Sequence, residues 1–254
     1  MALDEFVYLD LSGKWMNTWK RVIGNQRKNT KTRRCKLMTM VIAHVWQNKI
    51  IIMADSRSSA RDKDGKMLEF DDKANKIIEI QNKLFIGHAG LRKIPIGEHF
   101  DLNEITMHFI KMNQNKLFDY SGELIFRGLV ETWNRTLSEK LGRNPFDLNN
   151  RFCLLMGIFE NDNGKLIPKI HSYQSHFNEF QWGGTKAVIG DDPVYEIILP
   201  YYETDNADWT FDEIIDFYRK GFSEVMNKVE TVGGPIDIFV LDEVPEKSYW
   251  LDRK

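Results

Sequence analysis

From residue 40 onward the chain alternates between dense apolar runs and short polar breaks. Met40-Val41-Ile42-Ala43-His44-Val45-Trp46 and Ile50-Ile51-Ile52-Met53-Ala54 are apolar and largely β-branched, split by Gln47-Asn48-Lys49, which predicts a β-hairpin. A second hairpin is expected over 76–80 and 83–87, turning at Gln81-Asn82, with the polar stretch 61–75 as a loop between the two. The period then changes to three and four, predicting helices over 102–115 and 121–141. The second carries Phe126, Leu129, Val130, Trp133, Leu137 and Leu141 on one face and stops at Gly142. Strands follow over 152–159, over 166–172 across the turn Asn161-Asp162-Asn163-Gly164, and over 185–189. A last long helix is expected over 211–229. Thr210 and Glu213 form its capping box, and Phe211, Ile214, Ile215, Tyr218, Phe222, Val225, Met226 and Val229 form its apolar stripe. Strands over 236–241 and 249–251 close the chain.

Strands, helices, strands, helix, strands is the order of an α+β layered fold, not of an alternating βαβ sheet. No repeat, low-complexity tract or linker interrupts residues 39–254, which read as one domain. Of the 254 residues, 42% are hydrophobic and 28% charged, which excludes collagen-like and disordered classes. No apolar run approaches the roughly 20 residues of a membrane helix, and the acidic start of the chain is no secretory signal. With two cysteines, Cys35 and Cys153, a disulfide scaffold is excluded and a reduced, cytoplasmic setting is expected.

Charge changes the picture of the first 38 residues. They hold nine basic and three acidic side chains, hence +6, so the total of −2 leaves −8 on the rest. A basic arm suits nucleic acid, but nothing in the body continues such a surface, and a propeptide, an extension or a mis-assigned start is the plainer reading.

Familiar catalytic motifs are absent: no phosphate loop, no His-Glu-x-x-His, no Gly-x-Ser-x-Gly, no metal-ligand spacing, and six scattered histidines. No cofactor or metal is expected. What remains is a set of strand ends. Thr39 begins the first strand, Asp55 ends the second, Lys76 opens the next hairpin and Gly87-His88-Ala89-Gly90 ends it. A free α-amino group has a pKa near about 7.7–8.0 and can act as base for its own threonine hydroxyl. A neighbouring lysine would keep that amine unprotonated, and an aspartate would orient the lysine. On spacing alone, the plainer reading is a strand-start threonine, a turn aspartate and a surface lysine.

The stretches Thr39-Met40-Val41-Ile42-Ala43, Ala54-Asp55-Ser56-Arg57, Lys76-Ile77-Ile78-Glu79-Ile80 and His88-Ala89-Gly90 together resemble the start of a proteasome β-type subunit, an N-terminal-nucleophile (Ntn) hydrolase of the bacterial HslV/Anbu-like kind. Weaker matches continue through 152–159, Val188-Ile189-Gly190, Val194-Tyr195, 210–229 and Gly233-Gly234-Pro235-Ile236-Asp237-Ile238. The resemblance implies a four-layer αββα sandwich. Thr39 would be the nucleophile with its own amine as base. Lys76 would depress the pKa of that amine, Asp55 would position Lys76, the Gly90 N–H would form the oxyanion hole, and Arg57 would support the site.

The sequence departs from the family in three places. Met38 stands where self-processing members have glycine. Asn150 stands for a supporting serine, and Asp205 is the best match to a second aspartate. HslV-type members begin Met-Thr and lose the methionine to an aminopeptidase, so initiation at Met38 is expected here, with 1–37 a product of start-codon choice. The resemblance further implies a threonine peptidase acting on peptides or unfolded protein, within a homo-oligomeric ring or stacked assembly fed by an ATP-dependent unfoldase, with no membrane and no nucleic-acid partner. Other readings are a non-catalytic subunit of such an assembly and an Ntn amidase for small molecules.

Overall fold

The computed structural model describes residues 39–61, 67–91, 93–94, 100–140, 142–144, 146, 151–190, 192–204 and 208–253. In chain order the strands are Met40–Trp46 (β1), Lys49–Asp55 (β2), Ser58–Arg61 (β3), Met67–Asp71 (β4), Ile77–Ile80 (β5), Leu84–Gly90 (β6), Lys93–Ile94 (β7) and Phe100–Asp101 (β8). Helices Leu102–Asn113 (α1) and Gly122–Arg135 (α2) follow. Then come Phe152–Asp162 (β9), Lys165–Gln174 (β10), Glu179–Gly184 (β11) and Lys186–Gly190 (β12). Helices Asp192–Glu203 (α3) and Phe211–Lys228 (α4) precede Ile236–Asp242 (β13) and Tyr249–Asp252 (β14).

Two five-stranded antiparallel sheets carry the fold, in the orders β12-β1-β2-β13-β14 and β11-β10-β9-β6-β5. Strand alternation divides the core into three layers. Val41, Ala43, Ile50, Ile52, Phe85, Cys153, Leu155 and Phe239 fill the space between the sheets. Met40, Ile42, Ile51 and Met53 point the other way, onto Ile198 of α3 and Ile214, Tyr218 and Phe222 of α4. Ile86, Leu154 and Met156 meet Phe126, Leu129 and Trp133 of α2 on the far side. The result is the αββα sandwich expected from the sequence. Because the central strands are buried on both faces, they read as unbroken apolar runs.

The sandwich is thin where the site lies. At Gly87 a Cβ would stand 2.9 Å from both Ile52 Cδ1 and Val41 Cγ1, across the gap between the sheets. Any side chain there would have to displace the ends of both side chains from the facing sheet.

Both predicted hairpins form, turning at Gln47-Asn48 and at Gln81-Asn82, with Gln47, Gln81 and Asn82 at positive φ. The capping box at Thr210 and Glu213 also forms, and α4 ends at Lys228, one residue before the expected end. Four readings are corrected. The stretch 61–75 is not all loop: β4 pairs with β3 as a small antiparallel hairpin, whose polar, mixed sequence hides its period. Strand β11 was not anticipated, because its Gly183-Gly184 end and neighbouring Asn178 read as turn. Helix α3 was not anticipated either. Its buried Val194, Ile198 and Tyr201 are spaced by four and three, but Pro200 inside it reads as a breaker. The second helix also ends earlier than expected, at Arg135, and continues as one wide π turn, Thr136–Lys140. Among the described residues no helix is long and apolar enough to cross a membrane.

Two outcomes follow from this core. Leu155→Ala, at a fully buried position between the sheets, is expected to lower stability by about 2–5 kcal/mol in denaturant titration. His44 lies buried against Tyr218, and burial first, then the charge of Lys186, lowers its pKa from 6.5 to about 4. The folded chain therefore holds it neutral while the unfolded chain protonates it, so stability is lost as pH falls from 6.5 to about 4. His44→Phe should remove part of that loss, read as melting temperature against pH.

Candidate functional site

Three of the residues singled out in the sequence, Thr39, Asp55 and Lys76, meet at one end of the sandwich. Thr39 directly precedes β1 and is 6% exposed. Asp55 is the last residue of β2, the neighbour of β1 in the same sheet, and is 1% exposed. Lys76 directly precedes β5 in the other sheet and is 3% exposed, so it is no surface lysine.

Asp55 joins them. Its Oδ1 accepts the Met40 N–H and the Lys76 ammonium, each at 2.8 Å. Its Oδ2 accepts the Gly233 N–H at 3.1 Å and the Arg57 N–H at 3.3 Å. A buried carboxylate and ammonium repay their lost hydration only when their remaining hydrogen-bonding positions are also filled. Asp55 meets that condition on both oxygens. One carboxylate thus holds the amide that follows Thr39, the lysine from the opposite sheet, and the loop entering β13.

Lys76 is held at its main chain as well, where its C=O accepts the His88 N–H of β6 at 3.1 Å. The turn before it is tied to β2: the Ala74 N–H donates to the Ser56 C=O at 2.8 Å. Arg57 grips Asp72 with two donors, at 2.6 and 2.9 Å, and donates to the Glu230 C=O at 2.8 Å. Hydrogen bonding to Asp72 raises the pKa of Arg57. Arg57 is therefore a brace between the segment before Lys76 and the segment after α4.

Gly90 ends β6 with φ of +90°, a conformation open to glycine and strained for other residues. A Cβ there would stand 2.5 Å from the Arg151 carbonyl oxygen and 3.0 Å from Phe152 Cα. Backbone on both counts demands glycine at this position. Gly190 is similarly enclosed, since its Cβ would lie 2.6 Å from the carbonyl oxygen of Thr39, and it pairs with Met40 in the sheet.

Asn150 and Asp205 lie outside the described residues, as does everything before Thr39. Two participants were not singled out as site residues. Gly233 donates directly to Asp55, and its Cβ would collide with the Arg57 guanidinium at 2.5 Å. The Gly233-Gly234 pair was its signal, read only as part of a weaker match to the resembled family. Arg151 is 9% exposed and reaches across to Gly190. Its signal was a charged residue directly before the long apolar run 152–159. Among the described residues no three histidine, cysteine or acidic side chains are grouped to hold a metal ion.

No family model and no curated protein matches the chain. Among solved structures, a Gly-1 mutant of Anbu from Hyphomicrobium sp. strain MC1 is similar, with a TM-score of 0.57 and 15% identity over 80% of this chain and 81% of that one. At that identity the likeness carries the fold alone: two antiparallel sheets flanked by helices, which in this chain bear the Thr39, Asp55 and Lys76 cluster at one end.

Proposed function

We propose that the chain is a threonine-type peptidase that hydrolyses peptide bonds once Thr39 is its N-terminal residue. The observation that carries this reading is the buried Lys76–Asp55 pair sharing Oδ1 with the Met40 N–H. A structural ion pair needs no particular address. This one stands beside the residue whose amine and hydroxyl would react, with the cation on the sheet opposite.

In the reaction, Thr39 Oγ attacks the substrate carbonyl carbon while its proton passes to the Thr39 α-amine. The resulting oxyanion takes the Gly90 N–H. The carbon–nitrogen bond then breaks, the ammonium returns its proton to the departing amine, and an ester to Thr39 remains. Water, deprotonated by the same amine, releases the acid and frees the hydroxyl. Lys76 stays protonated throughout: its charge disfavours the ammonium form of the Thr39 amine, which keeps that amine a base. Asp55 keeps Lys76 charged and aimed. If residues before Thr39 remain attached, its nitrogen is an amide and no base is present. Removal of Met38 by an aminopeptidase, or of a longer leader, is therefore part of the proposal. So are peptides or unfolded segments as substrates, and assembly into a closed oligomer that restricts access to the site.

A peptide epoxyketone reports this chemistry directly, because it closes a ring on a hydroxyl and a free amine of the same residue. Protein purified from its host should give an intact mass beginning at Thr39 and a single adduct on that residue, and Thr39→Ala should give none. An adduct that survives Thr39→Ala would defeat the mechanism. Asp55→Asn should abolish labelling and also lower stability by about 3–5 kcal/mol, because it strands the Lys76 charge in a buried position.

A further inference from the structure

The ion pair fixes Thr39 relative to Lys76 but does not reach Gly90, the donor to the oxyanion. A different residue spans that distance. Arg151 precedes β9, and its main chain abuts Gly90: the Leu91 N–H donates to the Arg151 C=O at 2.9 Å, and that oxygen occupies the space a Gly90 side chain would take. The same residue's guanidinium crosses to the other sheet, where Nη2 donates to the Gly190 C=O at 2.7 Å in a buried hydrogen bond. Gly190 ends β12, pairs with Met40 and packs against the carbonyl of Thr39. The covalent frame of Arg151 thus runs from the wall of Gly90 to the wall of Thr39.

We propose that Arg151 is a positioning residue for the Thr39 reaction, setting the separation of nucleophile and oxyanion donor by tying the start of β9 to the end of β12. The inference rests on the reading of Thr39 as nucleophile. An uncharged long side chain would fill the same volume without the cost of taking a guanidinium out of water. What the guanidinium adds is a rigid, directional donor of fixed reach. Its target is a main-chain carbonyl at the last residue of an edge strand, beyond which no further strand pairs among the described residues. The Gly190 N–H is itself held by the Tyr195 hydroxyl at 3.2 Å, so the guanidinium adds a second hold on the other side of the residue. Reaction rates of oriented groups fall steeply with misplacements near 1 Å, so loss of this tie should act on the chemical step and leave substrate binding largely intact.

The test uses protein purified as above and the peptide epoxyketone, with the rate of inactivation at saturation (kinact) and the half-saturating concentration (KI) measured separately. Arg151→Gln and Arg151→Met are both neutral; the second covers the case in which the first does not fold. Either is expected to lower kinact about 10–100-fold while KI stays within about twofold. Arg151→Lys, which can still donate to the Gly190 carbonyl, should recover a substantial part. A merely structural arginine would instead reduce the labelled fraction and the melting temperature at unchanged kinact, and that result overturns the proposal. So does a loss confined to KI. If wild type forms no adduct at Thr39, the peptidase reading falls and this inference falls with it. A wild type that labels normally beside unaltered neutral variants removes only the role of Arg151.

Discussion

The end of the sandwich that bears the site is organised around one carboxylate. Asp55 is almost completely buried and has four donors within 2.8–3.3 Å, drawn from both sheets and from a loop far along the chain. In a low-dielectric interior a charge placed so deep is tolerable only with that many partners. The constraint works in both directions. The carboxylate demands the lysine, and the lysine, itself 3% exposed, can sit between the sheets only where such a carboxylate waits. Segments that would otherwise be free strand ends are thereby fixed to one another.

Packing supplies the rest of the precision. Gly87 lets the two sheets close to van der Waals distance, Gly90 and Gly190 let main chain press against main chain, and Gly233 leaves room for Arg57 while its N–H reaches Asp55. These glycines serve different ends. Only Gly90 of the four has a positive φ; the others are small because something else must occupy the space.

Much of this was legible in the sequence, for identifiable reasons. Strands buried on both faces leave long apolar runs, so β1, β2 and β9 could be read directly. The capping box at Thr210 and Glu213 marked the start of α4. Elements whose stability comes from tertiary contact were harder. Helix α3 holds a proline against its own period, and β11 is an edge strand of mixed polarity whose Phe180 and Trp182 stack on each other. At the site, Thr39, Asp55 and Lys76 announced themselves by lying at strand ends and by their resemblance to a known family. Gly233 and Arg151 did not, because a main-chain donor has no side-chain signature and an arginine's reach is invisible until two sheets are stacked. That Lys76 is buried was equally beyond the sequence, which places it in a run of polar residues.

The loop entering β13 has one more implication. The donors of Asp55 come from positions as far apart along the chain as Met40 and Gly233, and β13 lies beside β2 in the sheet although it is nearly the last strand to be synthesised. Contacts so distant in sequence form late in folding. During synthesis, then, β1 and β2 exist as a hairpin with an incomplete carboxylate shell, and the cluster around Thr39 acquires its final geometry only when the C-terminal strands dock. A nascent chain would carry Thr39 before the shell of donors that later encloses Asp55 beside it has formed.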